Sequence, residues 1–501
     1  MNFGMLFFLA ISPLVLILIL LLVFHVKLLY SSILTLLYTI GISVYIWQIE
    51  TLTLGAAIYK GIFVGIDIAL IVGGALLYVY FYKNSGRMKK LQRLLTLLSD
   101  DKRVQILLLG FFFVGFLEGT AGFGVPAAVV APLLVALSIT PVAAVAIALI
   151  GDSTAVAFGA VGTPLRVGFE TVDITGVTFT TAILNSIVLA VIPLSILAVY
   201  EFQKKDRSLQ SFYAAIPLGL LATISFAIPF IVISYVGYDF PTLLGSIIGA
   251  GIFIVFQRYF TERKSLHKGD ILFSDLHFVF MPYILFISLF VIIRYISQTF
   301  DFVWFISLSD TISHTFNPFN PGIIFLLVVL FYSFYGTYTW SLSQGSVDVS
   351  KKLYYPFIVI LAITSFVQIM VHSHTNASNL DGMIQVAASI LRTDYLLFVS
   401  GFVGVLGTFV AGSATVSNLL FGELQEAAAV MAGLPVFLIL ALQLTGAAVG
   451  NMISLTNIVA AQSTVKLQNK EKDILKLTLI PCLVYITLAG VVAYFGFLLF
   501  F

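Results

Sequence analysis

Long apolar runs recur along the whole chain and are separated by short polar stretches. Most runs hold about 20 residues, the length of an α-helix that crosses the roughly 30 Å hydrocarbon core of a bilayer. The runs do not alternate between apolar and polar positions over about ten residues, as the strands of a membrane β-barrel do. The pattern therefore predicts an all-α polytopic membrane protein. We expect crossings at about 5–24, 28–48, 61–82, 140–168, 179–200, 212–236, 241–257, 276–296, 321–340, 354–372, 434–465 and 474–498.

Two further segments, 104–138 and 395–431, each hold two shorter apolar runs around a polar centre. In the first segment the arms 104–117 and 127–138 flank the sequence EGTAGFG, and neither arm is long enough to cross comfortably. Each segment is therefore predicted to be a re-entrant helical hairpin. The crossings 140–168 and 434–465 carry glycine and polar residues at mid-length, which predicts helices with an unwound centre.

Composition supports a membrane protein, because 60% of the 501 residues are hydrophobic and 10% are charged. Soluble proteins hold about 25% charged residues. Twenty of the 25 lysines and arginines fall in five short clusters, at 83–103, 204–207, 258–268, 351–352 and 466–476. Short loops rich in these residues stay on the cytoplasmic side. This rule predicts that the N- and C-termini are both extracytoplasmic.

The same order of elements occurs twice along the chain. Residues 1–201 and 271–501 each give three helices, a hairpin, an interrupted helix and a closing helix, and a helix pair in 202–270 links them. The charge clusters give the two halves opposite orientations. Inverted-topology repeats with interrupted helices are typical of secondary transporters.

Helix breaks are predicted at 118–124, 151–164, 412–418 and 451–457. Non-helical backbone at membrane depth persists only where it is buried in protein or lines a wet cavity. Half-helix N-termini at such breaks favour an anion between them, although small residues also serve simple helix packing. The substrate-binding candidates are Gly119, Thr120, Gly122, Gly124, Ser153, Thr154, Gly412, Ser413, Thr415, Ser417, Asn418, Asn451, Ser454 and Asn457.

Three acids lie within apolar segments, Glu118, Asp152 and Asp67. A carboxylate at bilayer depth costs about 2.5–3.5 kcal/mol on insertion scales, which makes such an acid a functional candidate. Glu118 and Asp152 are candidate proton acceptors, Na⁺ ligands or partners of Arg166, and a protonated structural acid is the alternative. Asp67 lies on an unbroken helix, where coupling and helix-to-helix hydrogen bonding are both open. Arg166 either attracts a substrate anion or pairs with an acid in 170–173.

The sequence gives little evidence for an enzyme. The single cysteine, Cys482, excludes an intrachain disulfide, and the six histidines lack metal-ligand spacing. His372 with His374 is the one cluster that could serve an intramembrane enzyme, and a repeated channel-filter motif is not evident. We expect no cofactor, no resident metal and no nucleic-acid partner. The expected partners are the lipid bilayer and a small carboxylate, and a homo-oligomer is left open.

At the predicted breaks the sequence resembles the lactate permease family of plasma-membrane transporters. The resemblance is carried by FLEGTAGFGVPAAVVAPLL, AVAFGAVGTP, GTFVAGSATVSNLLFGELQ and ALQLTGAAVGNMISLTNIVAAQSTV, with KGIFVGIDIALIVGGALLYVY in the third span. It implies a plasma-membrane carrier of L-lactate or a related 2-hydroxymonocarboxylate such as glycolate, coupled to H⁺. It also implies an elevator-type fold in which hairpins and interrupted helices move together.

The chain departs from the family pattern at three positions. The family favours an asparagine at Asp152, an acid at Ala414 and a histidine at Thr456. These departures leave open both Na⁺ coupling and an alternative function, a Na⁺-coupled di- or tricarboxylate carrier of related fold. The positions that match are Glu118, Gly119, Gly122, Gly124, Gly412, Ser413, Asn418, Asn451 and Asn457.

Overall fold

The computed structural model of the protein describes residues 3–97, 99–122, 124–170, 172–203, 209–260, 273–300, 304–309, 311–316, 320–335, 341–389 and 395–500. Within these ranges, 12 helices are long and apolar enough to cross a membrane. The polytopic helical fold is thus confirmed. The predicted crossing 321–340 is described as far as residue 335, and its last five residues lie outside the described ranges.

The helices follow one another in the following order. The first half holds α1 (Phe3–Leu22), α2 (Leu28–Ile42), α3 (Thr51–Asn84), α4 (Arg87–Leu97), α5 (Lys102–Leu107), α6 (Val114–Thr120), α7 (Val125–Ala136), α8 (Pro141–Ser153), α9 (Gly159–Arg166), α10 (Val177–Val188), α11 (Val191–Phe202), α12 (Leu209–Val236) and α13 (Pro241–Phe256). The second half holds α14 (Phe273–Phe300), α15 (Pro321–Tyr335), α16 (Leu342–Val371), α17 (Met383–Ala388), α18 (Leu396–Ala411), α19 (Ala414–Ala432), α20 (Val436–Gly450), α21 (Leu455–Thr464) and α22 (Glu471–Phe500).

One compact unit comprises Met1–Lys90, Phe273–Thr393 and Glu423–Ala432. Its centre is α3, against which α15 and α16 pack through glycines. A β-carbon added at Gly61 would lie 2.4 Å from Ser365 Cα, and one at Gly74 would lie 2.2 Å from the Gly322 carbonyl oxygen. Small residues at these positions let the helix backbones approach closely.

The all-α prediction needs one correction in this unit. Strands β1 (Trp304–Ser307) and β2 (Ser313–Phe316) form a short antiparallel hairpin in which Trp304 faces Phe316. The two rings stack with their centroids 5.7 Å apart. Aromatic and β-branched residues suit such a paired surface, and the helical runs on either side concealed this signal.

The other compact unit comprises Leu91–Leu272, Asp394–Gly422 and Gly433–Phe501. It holds the predicted hairpin α5–α7, the predicted hairpin 395–431 only as far as Gly422 (α18 with the start of α19), and both predicted interrupted helices; the end of α19, Glu423–Ala432, belongs to the unit described first. We name these hairpin 1, hairpin 2, interrupted helix 1 (Pro141–Arg166) and interrupted helix 2 (Val436–Thr464). These elements carry most of the site residues predicted from the sequence.

Hairpin 1 has unequal arms. Its first arm extends from Lys102 to Thr120 through a π-helical segment, Leu108–Phe113, and is longer than the predicted 104–117. The prediction that neither arm is long enough to cross is therefore wrong for this arm, which is among the 12 long apolar helices. The extension begins at a cap, because the Asp101 side chain accepts a hydrogen bond from the Arg103 backbone at 2.8 Å. The second arm, α7, has only 12 residues and is too short to cross.

Both interrupted helices break at mid-length as predicted. In interrupted helix 1, α8 ends at Ser153, a 3₁₀ turn covers Thr154–Phe158, and Ala160, Val161 and Gly162 take positive φ before α9 continues. In interrupted helix 2, a 3₁₀ turn at Asn451–Ile453 is followed by extended backbone at Ser454. The inverted relation of the two halves and the predicted domain boundaries remain predictions.

Candidate functional site

The four breaks meet in one cavity. Its volume is about 300 Å³, which includes the space at its opening to solvent. Its walls come from both hairpin tips and from the breaks in both interrupted helices. The lining residues are Glu118, Gly122, Val156, Gly159, Ala160, Thr163, Pro164, Gly412, Ser413, Ala414, Thr415 and Asn451.

Two acids lie together at this cavity, and we call Glu118 and Asp152 the acid pair. Glu118 is at the end of α6 and is 3% exposed, whereas Asp152 on α8 is fully buried. Their carboxyl groups are within hydrogen-bonding reach of each other. One oxygen of each, Oε2 of Glu118 and Oδ1 of Asp152, receives no hydrogen bond from any residue that the structure describes. Two carboxyl groups within hydrogen-bonding reach of each other are stable together when they share a proton.

Glycine makes room for the acid pair. A β-carbon at Gly159 would lie 2.2 Å from Glu118 Oε1, and one at Gly122 would lie 3.3 Å from the same oxygen. Gly122 also has φ +59°, a conformation that other residues rarely adopt. Glycines at these two positions therefore let the Glu118 carboxyl group lie against bare backbone.

Two asparagines extend the polar contacts from the acid pair to hairpin 2. The Nδ2 of Asn451 donates to Asp152 Oδ2 at 3.0 Å. Asn457 Nδ2 donates to Asn451 Oδ1 at 2.5 Å and to the Gly412 carbonyl oxygen at 3.4 Å. Both asparagines were predicted from the sequence, and the structure places them in one connected chain.

The tips of the hairpins depend on left-handed glycines. Gly124 has φ +74° and Gly412 has φ +73°. A β-carbon at Gly124 would lie 2.9 Å from Asn457 Oδ1, and one at Gly412 would lie 2.0 Å from Thr456 Oγ1. Asn457 therefore contacts hairpin 1 through its oxygen and hairpin 2 through its nitrogen.

A second amide cluster joins hairpin 2 to interrupted helix 1. Asn418 Nδ2 donates to the Pro164 carbonyl oxygen at 2.9 Å. Gln443 Nε2 donates to Ser417 Oγ at 3.2 Å and to Asn418 Oδ1 at 3.3 Å. Gln443 was not among the predicted site residues, although a lone amide within the apolar run LILALQLTG was a usable signal.

Several predicted residues lie at the breaks but do not face the cavity. Thr120 Oγ1 donates to the Leu117 carbonyl oxygen at 2.9 Å, and Ser153 Oγ donates to the Ile150 carbonyl oxygen at 2.6 Å. Both hydroxyls thus bond the preceding turn of their own helix. Gly119 faces away, since a β-carbon there would lie 2.6 Å from the Leu243 backbone nitrogen.

Thr154 and Ser454 also bond protein atoms. Thr154 Oγ1 lies 3.2 Å from the hydroxyl of Tyr485, which bonds Asn185 Oδ1 at 3.1 Å. Ser454 Oγ lies 2.8 Å from Thr456 Oγ1, beside the tip of hairpin 2. These hydroxyls therefore hold the breaks in shape.

Ser413 and Thr415 are the predicted hydroxyls that line the cavity. Ser413 Oγ accepts a hydrogen bond of 3.4 Å from the Val416 backbone and so begins α19. In the described part of the chain, the Thr415 hydroxyl has no hydrogen-bond partner, and its side chain is 3% exposed. Thr415 is therefore the side chain best placed to bond a ligand.

Asp67 belongs to the other compact unit. Its Oδ2 lies 3.2 Å from Nε2 of His314, a buried residue of β2 whose ring stacks on Phe63. The Asp67 backbone carbonyl accepts a hydrogen bond from Asn320 at 3.1 Å. The structure thus does not bring this acid into the cavity.

Arg166 contacts residues that lie outside the cavity lining. Its guanidinium forms an ion pair with the buried Asp239 and lies 5.5 Å from the ring centre of Tyr238. Asp239 is a partner that the sequence did not suggest. Among the described residues, no group of three or more His, Cys, Asp or Glu side chains is placed to hold a metal ion.

Comparisons with known proteins extend over nearly the whole chain. The model of the L-lactate permease family matches residues 6–500. A putative L-lactate permease of Haemophilus influenzae is 28% identical over 91% of both chains. An L-lactate permease of Escherichia coli is 26% identical over 87% of this chain and 86% of its own, and one of Bacillus subtilis is 23% identical over 83% of both chains.

Proposed function

The chain belongs to the L-lactate permease family, and on that premise we propose that it carries L-lactate or a related 2-hydroxymonocarboxylate such as glycolate across the plasma membrane together with a proton. Its relatives are named permeases, which favours transport over catalysis. The observation that carries the proposal is the cavity itself, where a helix start faces a buried acid pair.

The start of α19 supports binding of the substrate carboxylate. Gly412, Ser413, Ala414 and Thr415 line the cavity where this helix begins. Unsatisfied backbone N–H groups and the helix dipole attract an anion at such a position. The Thr415 hydroxyl lies in the same wall of the cavity, where it can bond the 2-hydroxyl group of lactate.

The charges around the cavity support proton coupling. No lysine or arginine is among the described residues that line it, whereas Glu118 is, with Asp152 beside it. An anionic substrate next to ionised acids suffers like-charge repulsion, which is strong where water is excluded. A proton on the acid pair removes a negative charge, so substrate and proton favour each other's binding. This reciprocal preference is the basis of symport.

Na⁺ remains the alternative coupling ion for one specific reason. The acid pair has two oxygens that receive no hydrogen bond from the described residues, and a cation can be bound by such oxygens. A di- or tricarboxylate is less suited to the cavity, because each further negative charge would face the acid pair without a lining cation.

The division into compact units supports an elevator mechanism. Hairpin 1, hairpin 2 as far as Gly422 and both interrupted helices belong to one unit, whereas α1–α3, α14, α16 and the end of α19 belong to the other. In this mechanism the unit that holds the substrate moves while the other unit stays fixed in the membrane. Inverted repeats would provide the two alternating states.

Uptake by proteoliposomes tests the function. Purified protein is reconstituted, and labelled lactate, glycolate and succinate are offered under separately imposed H⁺ and Na⁺ gradients. We expect saturable lactate and glycolate accumulation driven by an inward H⁺ gradient without Na⁺. Dependence on Na⁺ at constant pH, with competition by succinate but not lactate, would replace the proposal by the alternative.

A further inference from the structure

Asn457 contacts both hairpin tips and belongs to the chain of hydrogen bonds that leads from the acid pair. Its Nδ2 bonds Asn451 Oδ1 at 2.5 Å and the Gly412 carbonyl oxygen at 3.4 Å. Its Oδ1 lies against Gly124, where a β-carbon would come within 2.9 Å. We propose that Asn451 and Asn457 form a relay through which the charge of the acid pair controls how firmly the hairpin tips are held.

The direction of the hydrogen bonds supports a relay. Each nitrogen donates toward the acid pair: Asn457 donates to Asn451, and Asn451 donates to Asp152 Oδ2 at 3.0 Å. Because the Asn451 oxygen already accepts from Asn457, turning the Asn451 amide over would place two donors face to face. While Asp152 Oδ2 accepts, the chain is therefore fixed in one orientation, with a carboxylate at its accepting end.

The strength of this chain depends on the charge at that end. A hydrogen bond to an ionised carboxylate is roughly twice as strong as one to a neutral group. Hydrogen bonds in a chain also polarise one another where water is excluded. Losing protons from the acid pair therefore tightens the bond from Asn451 to Asp152 and the bond from Asn457 to Asn451, which fixes the Asn457 side chain more firmly beside Gly412. Gaining protons loosens both.

Surrounding charges do not compete with this effect. On the elements around the acid pair, Arg166 is paired with Asp239, and Tyr485 bonds Asn185. Among the described residues that line the cavity, Glu118 alone carries an acidic or basic side chain. The charge that the relay transmits is thus that of the acid pair alone.

The relay rests on the proposed function but acts on a separate step. The repulsion described above links the proton to substrate binding, whereas the relay links the proton to hairpin movement without substrate. By reciprocity, moving a tip changes the proton affinity of the acid pair. Asn451 and Asn457 are in this account positioning residues, since they act through Asp152 and Gly412.

Hydrogen exchange of the hairpin tips tests the relay. The full-length protein in nanodiscs, without lactate, is compared at about pH 5 and about pH 8, with rates corrected for the intrinsic effect of pH on exchange. In the native protein we expect peptides that cover 408–418 to be protected at least about threefold more at the higher pH. In Asn451→Leu and in Asn457→Leu this difference is expected to vanish.

A matched variant controls for the loss of a buried amide. Gln257 is 4% exposed and lies in the same unit, directly after α13 and outside the relay, so Gln257→Leu should keep the pH difference. If a leucine variant does not fold, Asn457→Ala carries the test, because it removes the donating amide without adding bulk or a titratable group. A pH difference that persists in the relay variants, or that is absent from the native protein, overturns the relay.

The outcome is separable from that of the proposed function. Tips that respond to pH in a protein that carries no lactate would leave the relay standing and overturn the transport proposal. Proton-driven lactate uptake by a protein whose tips do not respond to pH would overturn the relay and leave the transport proposal standing.

Discussion

Glu118 Oε1 lies so close to Gly159 that a β-carbon on residue 159 would be 2.2 Å away from it. The backbone of Gly159 has φ −66°, which any residue can adopt. Space for the carboxyl group, and not backbone conformation, is therefore what requires glycine here. The contact joins hairpin 1 to interrupted helix 1 at the cavity wall.

Gly159→Ala should displace the Glu118 carboxyl group and reduce lactate uptake by at least about tenfold, since misplacing a reacting group by 1 Å can cost about a hundredfold. The measurement is initial uptake into proteoliposomes. Gly251→Ala is the matched control, because Gly251 is helical and has no atom within 4 Å of an added β-carbon. Equal uptake by both variants would contradict the close contact.

Gly412→Ala tests the tip of hairpin 2. Its left-handed backbone costs a residue with a β-carbon about 1–2 kcal/mol, and the added carbon would also lie 2.0 Å from Thr456 Oγ1. We predict lost uptake and a lower melting temperature. Gly433→Ala shares the positive φ, +68°, but meets no atom within 4 Å. Gly433→Ala should lose stability without losing transport. A similar loss of transport in both variants would show that the left-handed backbone, and not the contact at the tip of hairpin 2, causes the loss.

Thr415→Val tests recognition of the 2-hydroxyl group. Valine keeps the shape of threonine and removes the hydroxyl, so lactate should bind about three- to tenfold more weakly, the value of one hydrogen bond. Propionate, which lacks the 2-hydroxyl group, should be unaffected as a competitor. Thr478→Val, at a buried threonine of α22, is the control. Equal weakening for lactate and propionate would exclude Thr415 from hydroxyl recognition.

Glu118→Gln tests the coupling proton. Glutamine resembles the protonated acid and cannot release a proton, so exchange of internal for external lactate should continue while accumulation driven by a pH gradient is lost. Counterflow and pH-driven uptake are measured on the same vesicles. Glu201 is a buried acid outside the cavity, and its carboxylate pairs with Arg103 at 2.8 Å. The control variant Glu201→Gln should therefore retain coupling. Unchanged pH-driven uptake in Glu118→Gln would remove this role.

Much of the helical architecture could be predicted from the sequence, because each element has a local signal. Apolar length gave the crossings, and glycine beside polar residues gave the breaks near 118–124 and 451–457. The first arm of hairpin 1 was underestimated, since the helix continues through polar residues to its cap at Asp101. The strands β1 and β2 were missed because helices dominate the surrounding pattern.

The site was only partly predictable, because the direction of a side chain is decided by tertiary contacts. Sequence spacing placed Thr120 and Thr415 equally well, yet the first bonds its own helix and the second lines the cavity. Asp67 was a candidate acid on an unbroken helix, with coupling and helix-to-helix hydrogen bonding both open, and the fold places it beside His314 in another unit. Gln443 is marked in the sequence only as a lone amide in an apolar run, and its contacts with Ser417 and Asn418 reveal its place.

Proton flow driven by lactate is the most direct test of the central claim, that a small 2-hydroxymonocarboxylate and a proton cross together at the acid pair. Proteoliposomes loaded with a pH-sensitive dye are diluted into Na⁺-free buffer, and lactate is added outside. The account predicts a saturable acidification of the lumen that greatly exceeds the diffusion of lactic acid into empty vesicles and is absent with Glu118→Gln. Lactate uptake that leaves luminal pH at the level of empty vesicles, or that begins only when Na⁺ is added, would contradict it.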